Sequence, residues 1–153
     1  MERADFKFHT QLRVRNYEVD WQGIVHNANY LLYFEVGRIE YLKHAGVAVT
    51  IDAIQHGSRV VLVRNEINYL KPARFDDLLN VHARISFIRN TSFAFEGMLE
   101  QASTGEVIAE NLAIHVWLDD RVGEPSRVGD EFREIIRKFE GNTVAIFDPP
   151  GFA

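Results

Sequence analysis

The first third of this chain carries a short stretch of alternating hydrophobic and polar residues, followed by a long stretch with a helical period. Residues 6–14 alternate with period two, which predicts a first strand. Residues 28–45 follow a helical period, and Gly46 stands at the position just past a helix end that glycine favours. The pattern therefore predicts a strand, a polar loop over 16–27 and one long helix.

The second half of the chain reads as strands followed by a short helix. Four stretches are rich in β-branched and aromatic residues with alternating polarity, at 60–69, 79–88, 92–99 and 107–118. Turn signals separate them, at Lys71-Pro72, Arg89-Asn90-Thr91 and Thr104-Gly105. Such short connections predict antiparallel pairing, because a parallel crossover needs a dozen residues or more. An amphipathic helix is predicted over 129–140, and a turn or frayed end over 148–151.

One long helix with four or five antiparallel strands predicts the α+β class, with the helix covering one face of the sheet. Its apolar arc is predicted to contain Leu31, Leu32, Phe34, Ile39, Leu42 and Ala45. Two charges, Glu35 and Arg38, interrupt that arc one helical turn apart. We expect them to form a buried structural pair, with a role in positioning the preceding loop as the alternative.

Composition narrows the class of protein further. The chain has 153 residues, 46% hydrophobic and 25% charged, which is typical of one globular domain. We expect that domain to span 1–141 and a short tail to span 142–153. The chain has no cysteine, which excludes a disulfide scaffold, a thiolate metal site and a cysteine nucleophile. The histidines show no metal-ligand spacing, so no metal site is expected.

Charge and hydropathy bear on partners and location. A net charge of −5 and a pI near 5.7 argue against nonspecific binding to nucleic acid or to an anionic membrane. No apolar run approaches the ~20 residues of a membrane span. Because residues 1–5 are not followed by a signal-peptide hydrophobic region, we expect a cytoplasmic protein.

The segment 17–30 carries the candidate chemistry. It places a carboxylate, Asp20, and a flexible Gly23 ahead of the asparagines at the predicted helix start. The first N–H groups of a helix have no internal partner and lie at the positive end of its dipole, which suits a developing oxyanion. A nearby carboxylate can attack a carbonyl carbon or activate a water. The segment therefore predicts an acyl-transfer or hydrolysis site.

This segment resembles the hotdog-fold thioesterases of the 4-hydroxybenzoyl-CoA thioesterase superfamily, in particular their acyl-CoA thioesterase branch. The family pattern is an aromatic residue, D-x-x-G-[IV]-V-x-x-x-x-Y, and then E-x-x-R on the helix. The matching residues are Tyr17, Asp20, Gly23, Ile24, Val25, Tyr30, Glu35 and Arg38. The later stretch 69–73 also matches, and the likeness extends over about 8–140. Two departures are mild: Val19 replaces a common threonine, and Asn27 replaces an aromatic residue or histidine.

The resemblance implies a hotdog fold and hydrolysis of an acyl-CoA thioester to a free acid and CoA. It implies that Asp20 is catalytic, as nucleophile or general base, and that the backbone N–H of Asn27 polarises the thioester carbonyl. No metal or organic cofactor is implied. We expect a homodimer or homotetramer, because a single such sheet leaves an edge strand exposed. The resemblance implies that the active site lies at the dimer interface. Acyl chain length, and CoA as against acyl carrier protein, stay open.

Further substrate-binding residues are predicted around the loop and in one hairpin turn. Those around the loop are Gly23, Val25, His26, Asn29 and Tyr30. His26 is predicted to be a pocket wall or a helix cap, while Asn29 and Tyr30 line the acyl pocket or belong to the core. Arg89, Thr91 and Ser92 lie in a turn that resembles the family's loop for CoA phosphates. An ordinary charged turn is the alternative there.

Other reaction classes lack a site in this sequence. There is no P-loop, no G-x-G-x-x-G and no G-x-S-x-G, which argues against nucleotide hydrolysis, dinucleotide redox chemistry and α/β-hydrolase action. A hotdog hydratase needs an acid–base pair at a spacing that His26 does not provide. A non-catalytic acyl-thioester binding module is the second alternative, and Asp20 argues against it.

Overall fold

The computed structural model describes residues 1–56 and 59–147, so the second half of the predicted tail, including the turn at 148–151, lies outside the described residues. The strands are β1 (His9–Arg13), β2 (Arg59–Tyr69), β3 (Leu78–Ile88), β4 (Ser92–Gln101), β5 (Val107–Leu118) and β6 (Ala145–Ile146). The helices are α1 (Asn27–Ala45), α2 (Ile51–His56) and α3 (Asp130–Glu140), with 3-10 turns at Arg3–Asp5, Asn16–Glu18 and Gly141–Thr143.

The predicted long helix, the closing helix and the four later strands are confirmed, with small shifts at their ends. Gly46 has a φ of 104°, which explains the glycine after α1, since other residues rarely adopt that conformation. The first strand is shorter than predicted and begins at His9. Helix α2 was not predicted; the Thr50 hydroxyl oxygen accepts a hydrogen bond from the backbone N–H of Ala53 at its start.

The strands form one sheet in the order β1-β3-β4-β5-β2, and β6 adds a short parallel pairing to β3. Strands β1 and β3 pair antiparallel, with His9 opposite His82 and Arg13 opposite Leu78. The predicted α+β arrangement is confirmed: an antiparallel sheet has one long helix packed against it. Strand β2 lies at one end of the sheet order and is therefore an edge strand within one protomer.

The chain divides into two compact units that interleave in sequence. The first comprises 1–41, 66–84 and 96–111, and the second comprises the described residues of 42–65, 85–95 and 112–147. In the first unit, a Cβ on Gly37 would lie 2.6 Å from the Val81 side chain. The glycine therefore permits α1 to approach β3 closely, and a larger residue would force the two apart.

The buried face of α1 differs from the predicted arc. Tyr33, Phe34 and Gly37 are buried, whereas Leu31 and Leu32 are 41% and 56% exposed. Phe34 packs where Gly97 has no side chain, since a Cβ there would lie 2.7 Å from its ring. The prediction that Leu31 and Leu32 pack against the sheet is thus wrong for the described protomer. The close approach at Gly37 turns a tyrosine-rich face of α1 toward the sheet instead.

The prediction that Glu35 and Arg38 form a buried pair is also wrong, because only Arg38 is buried. Arg38 is buried, and its Nη1 donates to Oδ1 of Asn111 at 3.3 Å, while Glu35 is exposed. Burial lowers the pKa of Arg38, and the charge of Glu35 opposes that effect. Because Asn111 also donates from Nδ2 to the carbonyl oxygen of Glu66, the arginine is held by an amide that links to β2 rather than by a buried carboxylate.

In the second unit, α3 buries two apolar residues, Phe132 and Ile136, and two charged residues, Arg133 and Glu140. Phe132 packs against Trp117 at 5.3 Å and against Phe93 at 4.9 Å between ring centroids. Arg133 is only 2% exposed, whereas the helical period predicted Phe132, Ile135, Ile136 and Phe139 together on one side.

Candidate active site

The loop before α1 is a small hairpin rather than an extended connection. Val19 and Val25 form an antiparallel bridge, and the N–H of Asp20 donates to the carbonyl oxygen of Ile24 at 2.8 Å. The N–H of Gly23 returns to the carbonyl oxygen of Asp20 at 3.0 Å, closing a tight turn. Gly23 has a φ of 81°, a conformation that residues other than glycine rarely adopt, so the turn requires glycine at this position.

The carboxylate of Asp20 is held at the start of this turn. Its Oδ1 accepts a hydrogen bond from the backbone N–H of Gln22 at 2.7 Å, and the residue is partly exposed. One oxygen therefore orients the side chain while the group stays accessible, which is the arrangement a nucleophile or general base requires.

Two backbone contacts hold the hairpin against the residues just before β3. The N–H of Val25 donates to the carbonyl oxygen of Ala73 at 2.8 Å, and Ile24 bridges to Arg74. Val25, predicted to bind substrate, is 3% exposed and belongs to the hydrophobic core. The buried side chain of Val25 therefore anchors the loop to the core.

His26 caps the N-terminus of α1. Its Nδ1 accepts a hydrogen bond from the N–H of Ala28 at 3.1 Å, and its carbonyl oxygen accepts from the N–H of Asn29 at 2.9 Å. The capping alternative for His26 is therefore confirmed. Asn29 is partly buried, and its Nδ2 donates to the carbonyl oxygen of Glu18 at 2.8 Å, which ties the first helical turn to the start of the loop.

Asn27 is the first residue of α1, and its backbone N–H differs from those that follow. Ala28 and Asn29 donate to His26, whereas the N–H of Asn27 donates to no acceptor within residues 1–56 and 59–147. Asn27 is exposed. A donor at the positive end of the helix dipole thus stays open toward solvent or a ligand.

Tyr30, which was predicted either to line the pocket or to belong to the core, is a core residue with a hydrogen-bonded hydroxyl. It is 3% exposed, its hydroxyl oxygen accepts from the N–H of Ala73 at 3.2 Å, and burial raises its pKa. The ring of Tyr69 meets it edge to face at 5.2 Å. Tyr69 also donates from its hydroxyl to the carbonyl oxygen of Asn27 at 3.2 Å, so it holds the first peptide of α1.

Sequence reasoning missed a buried carboxylate beside the loop. Glu18 is 6% exposed and accepts from the backbone N–H of Arg15 at 2.7 Å and from its Nη1 at 3.3 Å. Burial, followed by the charge of Glu18, raises the pKa of Tyr33. The only signal in the sequence is the placement of Glu18 two residues before Asp20, which is too common a spacing to indicate burial.

The predicted phosphate-binding residues belong to the second unit. Arg89 and Thr91 lie in the turn between β3 and β4, and Ser92 is the first residue of β4. The guanidinium of Arg89 lies over the Phe87 ring, 4.9 Å from its centroid. Arg89 is exposed, while Thr91 and Ser92 are partly exposed. The turn and the first residue of β4 thus supply one cation and two hydroxyl side chains.

No group of three or more His, Asp or Glu side chains in 1–56 and 59–147 could hold a metal ion. No helix in the described part of the chain is long and apolar enough to cross a membrane.

The fold and the loop define a class: a hotdog-type protein with a carboxylate in the loop ahead of its long helix. Residues 22–108 match the profile of the thioesterase superfamily. The chain belongs to that superfamily and is a thioester hydrolase.

Relatives agree with this assignment. The chain is 32% identical over 136 residues to acyl-acyl carrier protein thioesterase ATL3 of Arabidopsis thaliana, spanning 86% of this chain and 71% of the relative. It is 29% identical to long-chain acyl-CoA thioesterase FadM of Escherichia coli strain K12, covering 82% of this chain and 93% of that one. A thioesterase of Thermus thermophilus, solved with coenzyme A and Zn, superposes with a TM-score of 0.76 at 31% identity, covering 90% of this chain and 97% of that one.

Proposed function

We propose that this enzyme hydrolyses an acyl-CoA thioester to a free carboxylic acid and CoA, with Asp20 and the N–H of Asn27 as its catalytic groups. The observation that carries the proposal is the open N–H of Asn27 at a helix N-terminus that follows a loop with an oriented carboxylate. The names of the relatives, which include acyl-CoA and acyl-carrier-protein thioesterases, support the substrate class.

The chemistry follows from these two groups. The carboxylate of Asp20 either attacks the thioester carbon, giving an acyl-enzyme anhydride that water then hydrolyses, or removes a proton from a water that attacks directly. In both routes the carbonyl oxygen becomes negative, and the N–H of Asn27 stabilises it together with the helix dipole. The thiolate of CoA leaves and is protonated.

Release of free thiol tests this proposal. Acyl-CoAs with short, long and aromatic acyl groups are each incubated with the enzyme, and free CoA is detected with a thiol reagent. A matched series of acyl carrier protein thioesters shows whether the enzyme prefers CoA or acyl carrier protein as the carrier of the acyl group. Turnover of any acyl-CoA supports the proposal, whereas binding without thiol release would favour a non-catalytic module, and addition of water to an unsaturated acyl group would favour a hydratase.

We propose that the turn at Arg89 binds the phosphates of CoA. Arg89→Ala should raise KM for acyl-CoA by about tenfold and leave kcat unchanged, because the phosphates of CoA are remote from its own thioester, so that a contact with them contributes uniform binding. KM for an acyl-pantetheine, which lacks the nucleotide, should not change. Arg121→Ala, which removes an exposed arginine from another loop, is the control. Equal damage to both substrates would contradict the assignment.

We also propose that two copies pair through β2. This strand lies at the end of the sheet order and is exposed along nearly its whole length, including Val60, Val61, Leu62 and Val63 at 40–57%. A long apolar edge of this kind is an aggregation hazard unless another strand covers it. A second copy covers it with the same strand, in a two-fold dimer, which is the commonest closed symmetry.

The location we propose for the enzyme is the cytoplasm.

Lysines on this edge should separate the copies. The wild-type particle is expected to have two or four times the 17.6 kDa mass of the chain, measured by sedimentation. Val61→Lys combined with Val63→Lys should halve the wild-type mass, because like charges would face each other across the paired edge. Val122→Lys, at a valine that is 72% exposed in another loop, should not change the mass. A monomeric wild-type enzyme would contradict the pairing.

A further inference from the structure

The carbonyl oxygens of the turn between β3 and β4 are all occupied by donors from within the second unit. The Thr91 oxygen accepts from the N–H of Trp117 at 2.8 Å, and the Ser92 oxygen accepts from the N–H of Arg89 at 2.7 Å. The Asn90 oxygen accepts from the N–H of Val128 at 2.8 Å. These bonds hold the negative ends of the peptide dipoles toward the protein.

Arg133 supplies the remaining side-chain donors to this turn. Its Nη2 donates to the carbonyl oxygens of Arg89, at 2.7 Å, and Asn90, at 3.2 Å. Its Nε donates to the carbonyl oxygen of Val128 at 2.9 Å, in the segment that leads into α3. One buried guanidinium therefore joins the turn to the start of the last helix, and its planar fork suits several acceptors at once.

This arrangement sets the direction of the neighbouring N–H groups. In a trans peptide the C=O and N–H point in opposite directions, and the described chain has no cis peptide. Because Arg133 holds the oxygens of Arg89 and Asn90, the N–H groups of Asn90 and Thr91 point away from the guanidinium. An anion approaching on that side meets N–H groups instead of carbonyl oxygens, which would repel it. The same turn carries the exposed Arg89 cation, which can pair with a phosphate.

We propose that Arg133 is a positioning residue for the nucleotide end of the substrate: by holding these carbonyl oxygens, it orients the β3–β4 turn to receive a phosphate group. The inference rests on the proposed binding of acyl-CoA at Arg89 and names a residue from a different element that this binding requires. Arg133 itself is not proposed to touch the phosphate, because the residue is 2% exposed and its Nε and Nη2 donate to backbone oxygens.

Two substitutions at Arg133 test the inference through a split between KM and kcat. Arg133→Met removes every donor and should raise KM for acyl-CoA by about tenfold, the effect of losing the phosphate contact. Arg133→Lys keeps the charge and some donors and should restore part of that loss. Both variants should keep the wild-type kcat and the wild-type KM for acyl-pantetheine. Ile136→Val, at a fully buried position of the same helix, is the control for a mere loss of packing and should leave both KM values unchanged.

A binding measurement separates this inference from the proposed hydrolysis. Adenosine 3′,5′-bisphosphate carries the nucleotide and no thioester, so its affinity can be measured by calorimetry even if no thiol is released. Binding to wild type that weakens in both Arg89→Ala and Arg133→Met supports the inference. Weakening in Arg89→Ala alone overturns the role of Arg133, and so does an equal rise in KM for acyl-CoA and acyl-pantetheine. Absence of binding to wild type overturns the phosphate site itself, and with it the role of Arg133.

Discussion

Asp20→Asn is expected to lower kcat by about 10²–10⁴-fold, the range for loss of a general base. Asparagine has nearly the same shape, and its side-chain oxygen can still accept the hydrogen bond from the N–H of Gln22 that closes the turn. The substitution therefore removes the charge and leaves the hairpin in place. Steady-state thiol release and a thermal melt, measured on the same preparations, check both halves of this expectation.

Asp119→Asn is a matched control for this substitution. Asp119 also uses Oδ1 to accept a hydrogen bond from the backbone N–H two residues on, Arg121, at 2.7 Å. It lies in a loop of the second unit, where no catalytic role is proposed. The control should keep wild-type kcat. If Asp20→Asn retained more than about half of wild-type turnover, the carboxylate would not be catalytic.

Asn27→Pro is expected to lower kcat by about 10²–10³-fold without a comparable loss of stability, as for removal of one oxyanion donor. Proline has no N–H, and the N–H of Asn27 has no acceptor within the described residues, so the fold loses no hydrogen bond there. Proline is also favoured at the first position of a helix, where its fixed φ already suits the chain. The substitution thus deletes one catalytic donor.

Asn27→Ala separates the backbone from the side chain at this position. Alanine keeps the N–H, so kcat should stay near that of wild type, and any change in acyl preference reports on the side chain alone. Activity and the free energy of unfolding are compared for wild type and both variants. A proline variant that folds and turns over like wild type would show that the oxyanion is stabilised elsewhere.

Local patterns in the sequence determined most of the secondary structure. The period-two stretches became β2 to β5, and the helical period before Gly46 became α1, because both patterns arise from neighbours along the chain. The candidate catalytic loop was also visible, since Asp20, Gly23 and the helix start lie within a few residues of one another. The cap at His26 is local too, as its acceptor and donor are two residues apart.

The buried face of α1 and the carbonyl contacts of Arg133 were decided only by the tertiary structure. Leu31 and Leu32 fit an apolar arc as well as Tyr33 does, and the choice between them depends on where β3 approaches Gly37. Two partners of Arg133, Arg89 and Asn90, lie more than forty residues away in sequence at the β3–β4 turn. A sequence pattern reports the polarity of a side chain, whereas burial and hydrogen bonding depend on which distant segments the folded sheet brings to it.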